Sequence, residues 1–279
     1  MTVFFNGQFL EKQAVCISTD DRGFLFADGA YEVVRWSAGH FFRPSDHLRR
    51  LERSLAEIRI SAPDMAILED VSRQLVERNG LSAGDATVYV QVTRGAAPRK
   101  HAFPPPDTPA TVYACARPFT ALTEAMEKGV RVICVEDVRW SRCDIKSIAL
   151  LPNVLANQQA GEAGAHEALF VRDGIVTEGS HTNFCAVFDG RLVTHPVSNR
   201  ILAGITRAAV LEFCRGLGIP VEETPIARDA LADASEMMLV GTTTDVVPVV
   251  QVDRRTVGNG TPGPVSRQLQ AALRDAMCG

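Results

Sequence analysis

The chain lacks several features, and each absence removes a class of protein. No apolar run approaches the ~20 residues that a membrane span needs. The opening MTVFFNGQFL has no charged region followed by an apolar stretch and a cleavage site, so no secretory signal is expected. Seven cysteines stand at 16, 115, 134, 143, 185, 214 and 278, an odd number without a CxxC pair. That spacing argues against a disulfide framework or a zinc site. It fits reduced, mostly buried thiols in a cytoplasmic protein, and no metal is expected. Neither GxGxxG nor GxxxxGK[ST] occurs, so the dinucleotide and nucleoside-triphosphate fingerprints are missing. Net charge is −4 and no basic stripe is interleaved with aromatics, which excludes nucleic acid as the expected partner. Lysine is also scarce. Of 29 lysines and arginines only Lys12, Lys100, Lys128 and Lys146 are lysines, leaving twenty-five arginines. Lys146 lies in the apolar-leaning segment RCDIKSIALL, where this chain would put arginine if positive charge were enough.

What is present describes a globular protein with a real core: 279 residues, 46 % hydrophobic and 22 % charged. VFFNGQFLE reads as a hairpin around Asn6-Gly7, and YEVVRW and HFFR flank SAG as a second. Pro44-Ser45-Asp46 opens a helix with Leu48, Leu51, Leu55 and Ile58 at helical spacing. A second helix is expected over 65–78, ending at Asn79-Gly80. ATVYVQVTR and ATVYACAR read as strands, separated by the Pro-rich loop GAAPRKHAFPPPDTP. Irregular loops of that length inside a domain are often functional. ARPFTALTEAM reads as an interdomain crossing. Beyond it come the strand VRVICVEDV, a helix over 153–163, short strands with turns at RDG and DG, helices over 206–217 and 264–277, and the strand EMMLV. Strands and helices mix without a βαβ rhythm, so the expected class is α+β in two domains, 1–118 and 124–279, joined by 119–123.

Six stretches could carry chemistry. Lys146 is either a solvated lysine on a strand edge or a Schiff-base lysine, a role open only to a primary amine. Gly204-Ile205-Thr206 precedes an amphipathic helix, where free backbone N–H groups attract phosphate; Thr206 could equally be an ordinary helix cap. Thr242, in VGTTTDV, adds a hydroxyl just past a strand, or merely belongs to a turn. Glu178, in VTEGSHTNF, is an exposed turn acid or an acid facing a ring nitrogen. Arg99 and His101 lie on the Pro-rich loop, either solvated or poised to take a carboxylate bidentately. Tyr31, in DRGFLFADGAYEVVR, leads into a strand and could be core or line a cleft.

Together these phrases resemble the fold-type IV family of pyridoxal-phosphate enzymes: the D-amino-acid, branched-chain and (R)-amine aminotransferases and aminodeoxychorismate lyase. The likeness is strongest to the bacterial D-amino-acid aminotransferases and runs almost end to end. It passes through DRGFLFADGAYEVVR, HLRRL, QVTRGAAPRKHAFP, VEDVRWSRCDIKSIALLPNVLA, TEGSHTN and GITR. The Arg99-x-His101 loop and RWxRCDIKS are its more specific marks. The resemblance implies a smaller N-terminal α/β domain and a larger C-terminal one, with pyridoxal 5'-phosphate in the cleft. It implies that Lys146 is the Schiff-base lysine and that Glu178 faces the pyridine nitrogen. Arg50, Ile205, Thr206 and Thr242 are implied to hold the phosphate. Tyr31, Arg99 and His101 are implied to hold the substrate carboxylate, the last two from the neighbouring subunit of a homodimer.

The activity so implied is ping-pong transamination between a D-amino acid, such as D-alanine or D-glutamate, and a 2-oxo acid, pyruvate or 2-oxoglutarate. Within the fold the alternatives are a branched-chain L-amino-acid aminotransferase and aminodeoxychorismate lyase. The arginine-histidine loop, a single strong carboxylate site, fits D-amino acids better. A non-catalytic phosphate-ligand binding protein would keep the phosphate turns but need no lysine at 146. Gly241, Ala149 and His181 depart from the family pattern, where a serine, an asparagine and a small hydroxyl residue are expected. None of the three removes a catalytic group.

Overall fold

The computed structural model describes residues 1–278. The chain forms two compact units, Met1–Thr120 with Ile145–Ala149, and Ala121–Asp144 with Leu150–Gly279. The Lys146 segment thus packs with the first unit, although the sequence placed all of 124–279 in the second. The reason is backbone pairing, described below, which chain order does not reveal.

The first unit runs β1 (Thr2–Phe5), β2 (Gln8–Glu11), α1 (Arg22–Phe26), β3 (Gly29–Ser37), β4 (His40–Phe41), α2 (Pro44–Glu57), α3 (Met65–Arg78), β5 (Ala86–Thr93) and β6 (Thr111–Pro118). Asn6 and Gly7 both have positive φ, 46° and 89°, so the first hairpin closes as expected with Phe5 opposite Gln8. Ala38-Gly39 closes the second in the same way. The six strands form one sheet in the order β2-β1-β6-β5-β3-β4, every neighbour antiparallel. Leu48, Leu51 and Leu55 of α2 and Leu68, Val71 and Leu75 of α3 are buried in one core with Val34, Val88 and Val90 of the sheet. Each such side chain stabilises the fold by about 1.5–3 kcal/mol. The Asp64 carboxylate caps α3 by accepting from Ala66 N–H at 2.9 Å.

The second unit contains α4 (Thr123–Lys128), β7 (Val130–Glu136), α5 (Leu151–Glu162), β8 (Glu167–Arg172), β9 (Ile175–Gly179), β10 (Asn183–Phe188), β11 (Arg191–Thr194), α6 (Ile205–Leu217), β12 (Val221–Glu223), β13 (Ile226–Ala227), β14 (Glu236–Gly241), β15 (Asp245–Val252), β16 (Arg255–Thr256) and α7 (Pro264–Cys278). Its mixed sheet has the order β12-β11-β10-β14-β15-β7-β8-β9-β13, with β16 beside β15. Asp173-Gly174 and Asp189-Gly190 turn the β8–β9 and β10–β11 hairpins with positive φ, as the RDG and DG phrases predict. Parallel pairs β7–β8, β7–β15 and β11–β12 stand among antiparallel ones. The architecture is therefore α+β in two units, not a doubly wound sheet. α5 begins at Leu151, two residues before the expected start, with Pro152 in its first turn, where its missing N–H costs nothing.

Among the described residues no helix is long and apolar enough to cross a membrane. All seven cysteines are free, and Cys115, Cys143, Cys185 and Cys214 are buried.

Candidate active site

In the first unit the site grows from one stripe of α2. His47, Arg50 and Ser54 are spaced at i, i+3 and i+7, so all three point towards β3, and all three are buried. Glu32 of β3 meets the first two. Arg50 donates to it twice, Nε to Oε2 at 2.8 Å and Nη2 to Oε1 at 2.7 Å, and His47 Nδ1 lies 3.1 Å from Oε1. Burial works against the charge of Glu32, but Arg50 and His47 outweigh it and hold the carboxyl far below its usual range. Burial pushes the His47 imidazole down, towards its neutral form.

One turn further along, Ser54 Oγ accepts from the Lys146 backbone N–H at 3.2 Å. Tyr31 N–H donates to Lys146 O at 3.0 Å and Ile148 N–H to Gly29 O at 3.1 Å, with Ala30 opposite Ser147. The lysine segment thus covers the edge of β3 that β4, paired only at Trp36 and Ser37, leaves open. A solvated strand-edge lysine does not describe it: Ile145 and Ser147 are buried and Lys146 is half-buried. Lys146 Nζ donates to Tyr31 Oη at 3.3 Å and lies 4.3 Å from the centre of that ring. Among the described residues no carboxylate pairs with it. Tyr31 stacks on Tyr89, ring centres 5.5 Å apart.

Arg99 and His101 are exposed on the Pro-rich loop, which has no helix or strand. Both rest on Phe26 of the same chain, at 5.2 and 5.5 Å. The loop is tied down from behind. Arg22 Nη1 donates to Lys100 O at 2.6 Å while its Nε donates to Asp28 at 2.8 Å. Phe103 lies between the guanidinium groups of Arg59 and Arg94, at 4.7 and 3.7 Å. Among the described residues no hydrogen bond or ring contact joins Arg99 or His101 to Tyr31 or Lys146.

In the second unit Glu178 is buried at the end of β9, not exposed in a turn. Its Oε1 accepts from Arg139 Nη1 at 2.5 Å, and its Oε2 from Asn183 Nδ2 and Leu202 N–H, both at 3.0 Å. Burial pushes the carboxyl up to about 7 against the pull of Arg139. Asn183 links the acid to both turns that the sequence singled out. It pairs with Val240 at the end of β14, one residue before the Gly241–Thr244 turn. A Cβ on Gly204 would lie 1.9 Å from Asn183 Oδ1, so only glycine lets the start of α6 come this close. No side chain caps α6, which leaves its first N–H groups for a ligand, and Thr206 is buried there beside half-buried Ile205. In the other turn Thr242 is half-buried, and the Thr244 hydroxyl is buried without a hydrogen-bond partner.

An amine without a carboxylate partner, a buried acid and an uncapped helix start are groups of the kind that hold a phosphorylated pyridine aldehyde. Residues 29–252 match the family described as amino-transferase class IV. The chain belongs to that family.

This aminotransferase class IV member is 41 % identical to the D-alanine aminotransferase of Bacillus licheniformis over 278 residues, 99 % of this chain and 97 % of the relative. Its fold matches the Escherichia coli branched-chain amino acid aminotransferase with a TM-score of 0.92 at 25 % identity, covering 98 % of this chain and 93 % of that one. It matches the T.th. branched-chain amino acid aminotransferase complexed with N-(5'-phosphopyridoxyl)-L-glutamate with a TM-score of 0.90 at 29 % identity, covering 100 % and 94 %.

Sequence reasoning missed Glu32, His47, Asn183, Asp137 and Arg139. Asn183 and Arg139 lay inside TEGSHTN and RWSRCDIKS, phrases recognised as family marks without a task for these residues. Glu32 and His47 likewise lay inside the family phrases DRGFLFADGAYEVVR and HLRRL, again without a task for these residues.

Proposed function

We propose that this chain is a pyridoxal-phosphate-dependent D-amino-acid transaminase acting as a cytoplasmic homodimer. The observation that carries the reading is the Lys146 amine, half-buried, without a carboxylate partner and within 3.3 Å of the Tyr31 hydroxyl. Pyridoxal phosphate, when bound, supplies an aldehyde that takes the amino group and a protonated ring that accepts an electron pair. Every other task falls to residues of the chain. Lys146 Nζ would hold the cofactor and would take the proton from the substrate's α-carbon. Glu178 holds the proton on the ring nitrogen. Ile205, Thr206 and Thr242 bind the phosphate through the helix start and the second turn. Arg50, already fixed by Glu32, gives the phosphate a positive charge that stays put.

Tyr31, with Arg99 and His101 of a second copy, grips the substrate carboxylate and decides which hydrogen of the α-carbon faces Lys146. Placement of that kind is worth about 7–11 kcal/mol of barrier. The exposure of Arg99 and His101 on their own chain supports a loop that works in the neighbouring site. So does a cavity of about 440 Å³ in the same unit, lined by Ile17, the 73 %-exposed Phe24, Tyr89 and Tyr113. Exposed apolar surface of this kind fits a second copy. The net exchange would move the amino group from the D-amino acid to a second 2-oxo acid, leaving the first substrate as its own 2-oxo acid.

The test is direct. The purified protein is expected to be yellow, to lose its visible band on borohydride treatment, and to convert D-alanine with 2-oxoglutarate. Preference for L-leucine would make it a branched-chain enzyme. Pyruvate release from aminodeoxychorismate without an amino acceptor would make it a lyase. A colourless protein that binds phosphate ligands without turnover would sink the enzymatic reading.

A further inference from the structure

Arg139 lies just past β7 with its side chain largely buried. Its Nε and Nη2 donate to the two oxygens of Asp137 at 2.8 and 2.9 Å, a bidentate pair. Nη2 also reaches Thr177 Oγ1 and the carbonyl of Arg200, both at 3.3 Å, and the guanidinium lies 4.2 Å over the Phe170 ring. Asp137 has a second cation, Arg172, at 3.0 Å. Asp137 therefore orients Arg139 without exhausting it, and Nη1 remains for Glu178 at 2.5 Å.

The surroundings of Glu178 point one way. Arg139, Asn183 and the Leu202 N–H all donate to it. A protonated carboxyl would have to donate, whereas the guanidinium, the Asn183 Nδ2 and the Leu202 N–H that face it are all donors. Charges in the cluster balance as two acids, Asp137 and Glu178, against Arg139 and Arg172. The remaining titratable neighbour, Cys143, has its thiol pushed up by burial and adds no charge at neutral pH.

We propose that Arg139 is a positioning residue whose three-armed pairing keeps Glu178 ionised and fixed in place, so that Glu178 can hold a proton on the cofactor's ring nitrogen. The inference rests on the assignment of Glu178 to that nitrogen. It adds that the acid cannot do the task alone. Buried among apolar strands, Glu178 is pushed up to about 7 even with Arg139 in place, so loss of the arginine would leave it neutral at working pH. Lysine cannot substitute fully, because a point charge cannot grip Asp137 bidentately and still reach Glu178.

Carbon-13 NMR of glutamate-labelled apoprotein reads the Glu178 carboxyl directly, with Glu178→Gln as the assignment control. In Arg139→Met the Glu178 midpoint should rise by about 1–3 pH units, the usual effect of losing an adjacent opposite charge. In Arg139→Lys, which keeps the charge and serves if the methionine variant does not fold, it should rise by less. In the loaded proteins the pH midpoint of the visible absorbance should move with these substitutions, while a surface control such as Arg254→Met leaves it in place. A folded variant, methionine or lysine, with wild-type midpoints in both measurements would overturn the proposal. A wild-type protein without a borohydride-sensitive visible band would instead sink the cofactor assignment, and the NMR comparison would still decide whether Arg139 governs Glu178.

Discussion

Whether Arg99 and His101 act across the dimer can be decided by mixing two inactive proteins. Lys146→Ala removes the reacting amine, and Arg99→Ala removes the carboxylate clamp. Arg99 is exposed and, among the described residues, has no salt bridge, so its whole charge is available to a ligand. Arg22 and Arg94, by contrast, are both committed to Asp28. Losing a charged hydrogen bond costs about 1.5–3 kcal/mol, about 10- to 150-fold in kcat/KM. If the clamp acts in trans, a hybrid dimer has one site with both defects and one with neither. Random reassociation makes about half the dimers hybrid, so an equimolar mixture should regain about one quarter of wild-type activity. If the clamp acts in cis, every site in the hybrid keeps one defect and the mixture stays at the mean of its parents, about one twentieth at most. The assay is D-alanine with 2-oxoglutarate after partial denaturation and refolding of the mixture. Activity no higher than the parental mean would refute the trans arrangement.

Three further outcomes follow from the geometry. Lys146→Arg should abolish the visible band and transamination while leaving the melting temperature of the apoprotein close to wild type; an active variant would end the scheme. Glu32→Gln removes the buried carboxylate that pairs with Arg50 and should cost roughly 3 kcal/mol of apoprotein stability near neutrality by urea denaturation. Because the folded Glu32 carboxyl titrates below its ordinary 4.5, its contribution is complete above that value and is lost as pH falls below it. The difference between Glu32→Gln and wild type should therefore shrink in acid. Gly204→Ala puts a methyl group where Asn183 Oδ1 lies, so Asn183 must move and its bond to Glu178 is lost. Overpacking of this kind costs about 1–3 kcal/mol, which should appear as a lower melting temperature together with weaker retention of the cofactor in dialysis.

Local physics made much of this protein legible before any fold was known. Asn6-Gly7, Asp173-Gly174 and Asp189-Gly190 name their turns because few residues accept positive φ. The 48-51-55 leucine spacing names α2 because a helix must bury one stripe. Lys146 drew notice through chemistry alone, since imine formation requires a primary amine that arginine lacks. What stayed hidden depends on contacts between distant residues. The strand edge that Lys146 covers belongs to β3, more than a hundred residues earlier, and was not visible from the alternation around it. Glu178 looked like an exposed turn acid because burial is a property of neighbours. Only the folded unit surrounds it with Arg139, Asn183 and Leu202, and supplies Asp137 to aim the arginine. The order of residues alone settled which chemistry the chain can perform, because that lies in side-chain functional groups and short-range geometry. Folding settled which acids are charged, which arginines are committed and which is free, because those properties are set by burial and by partners far away along the chain.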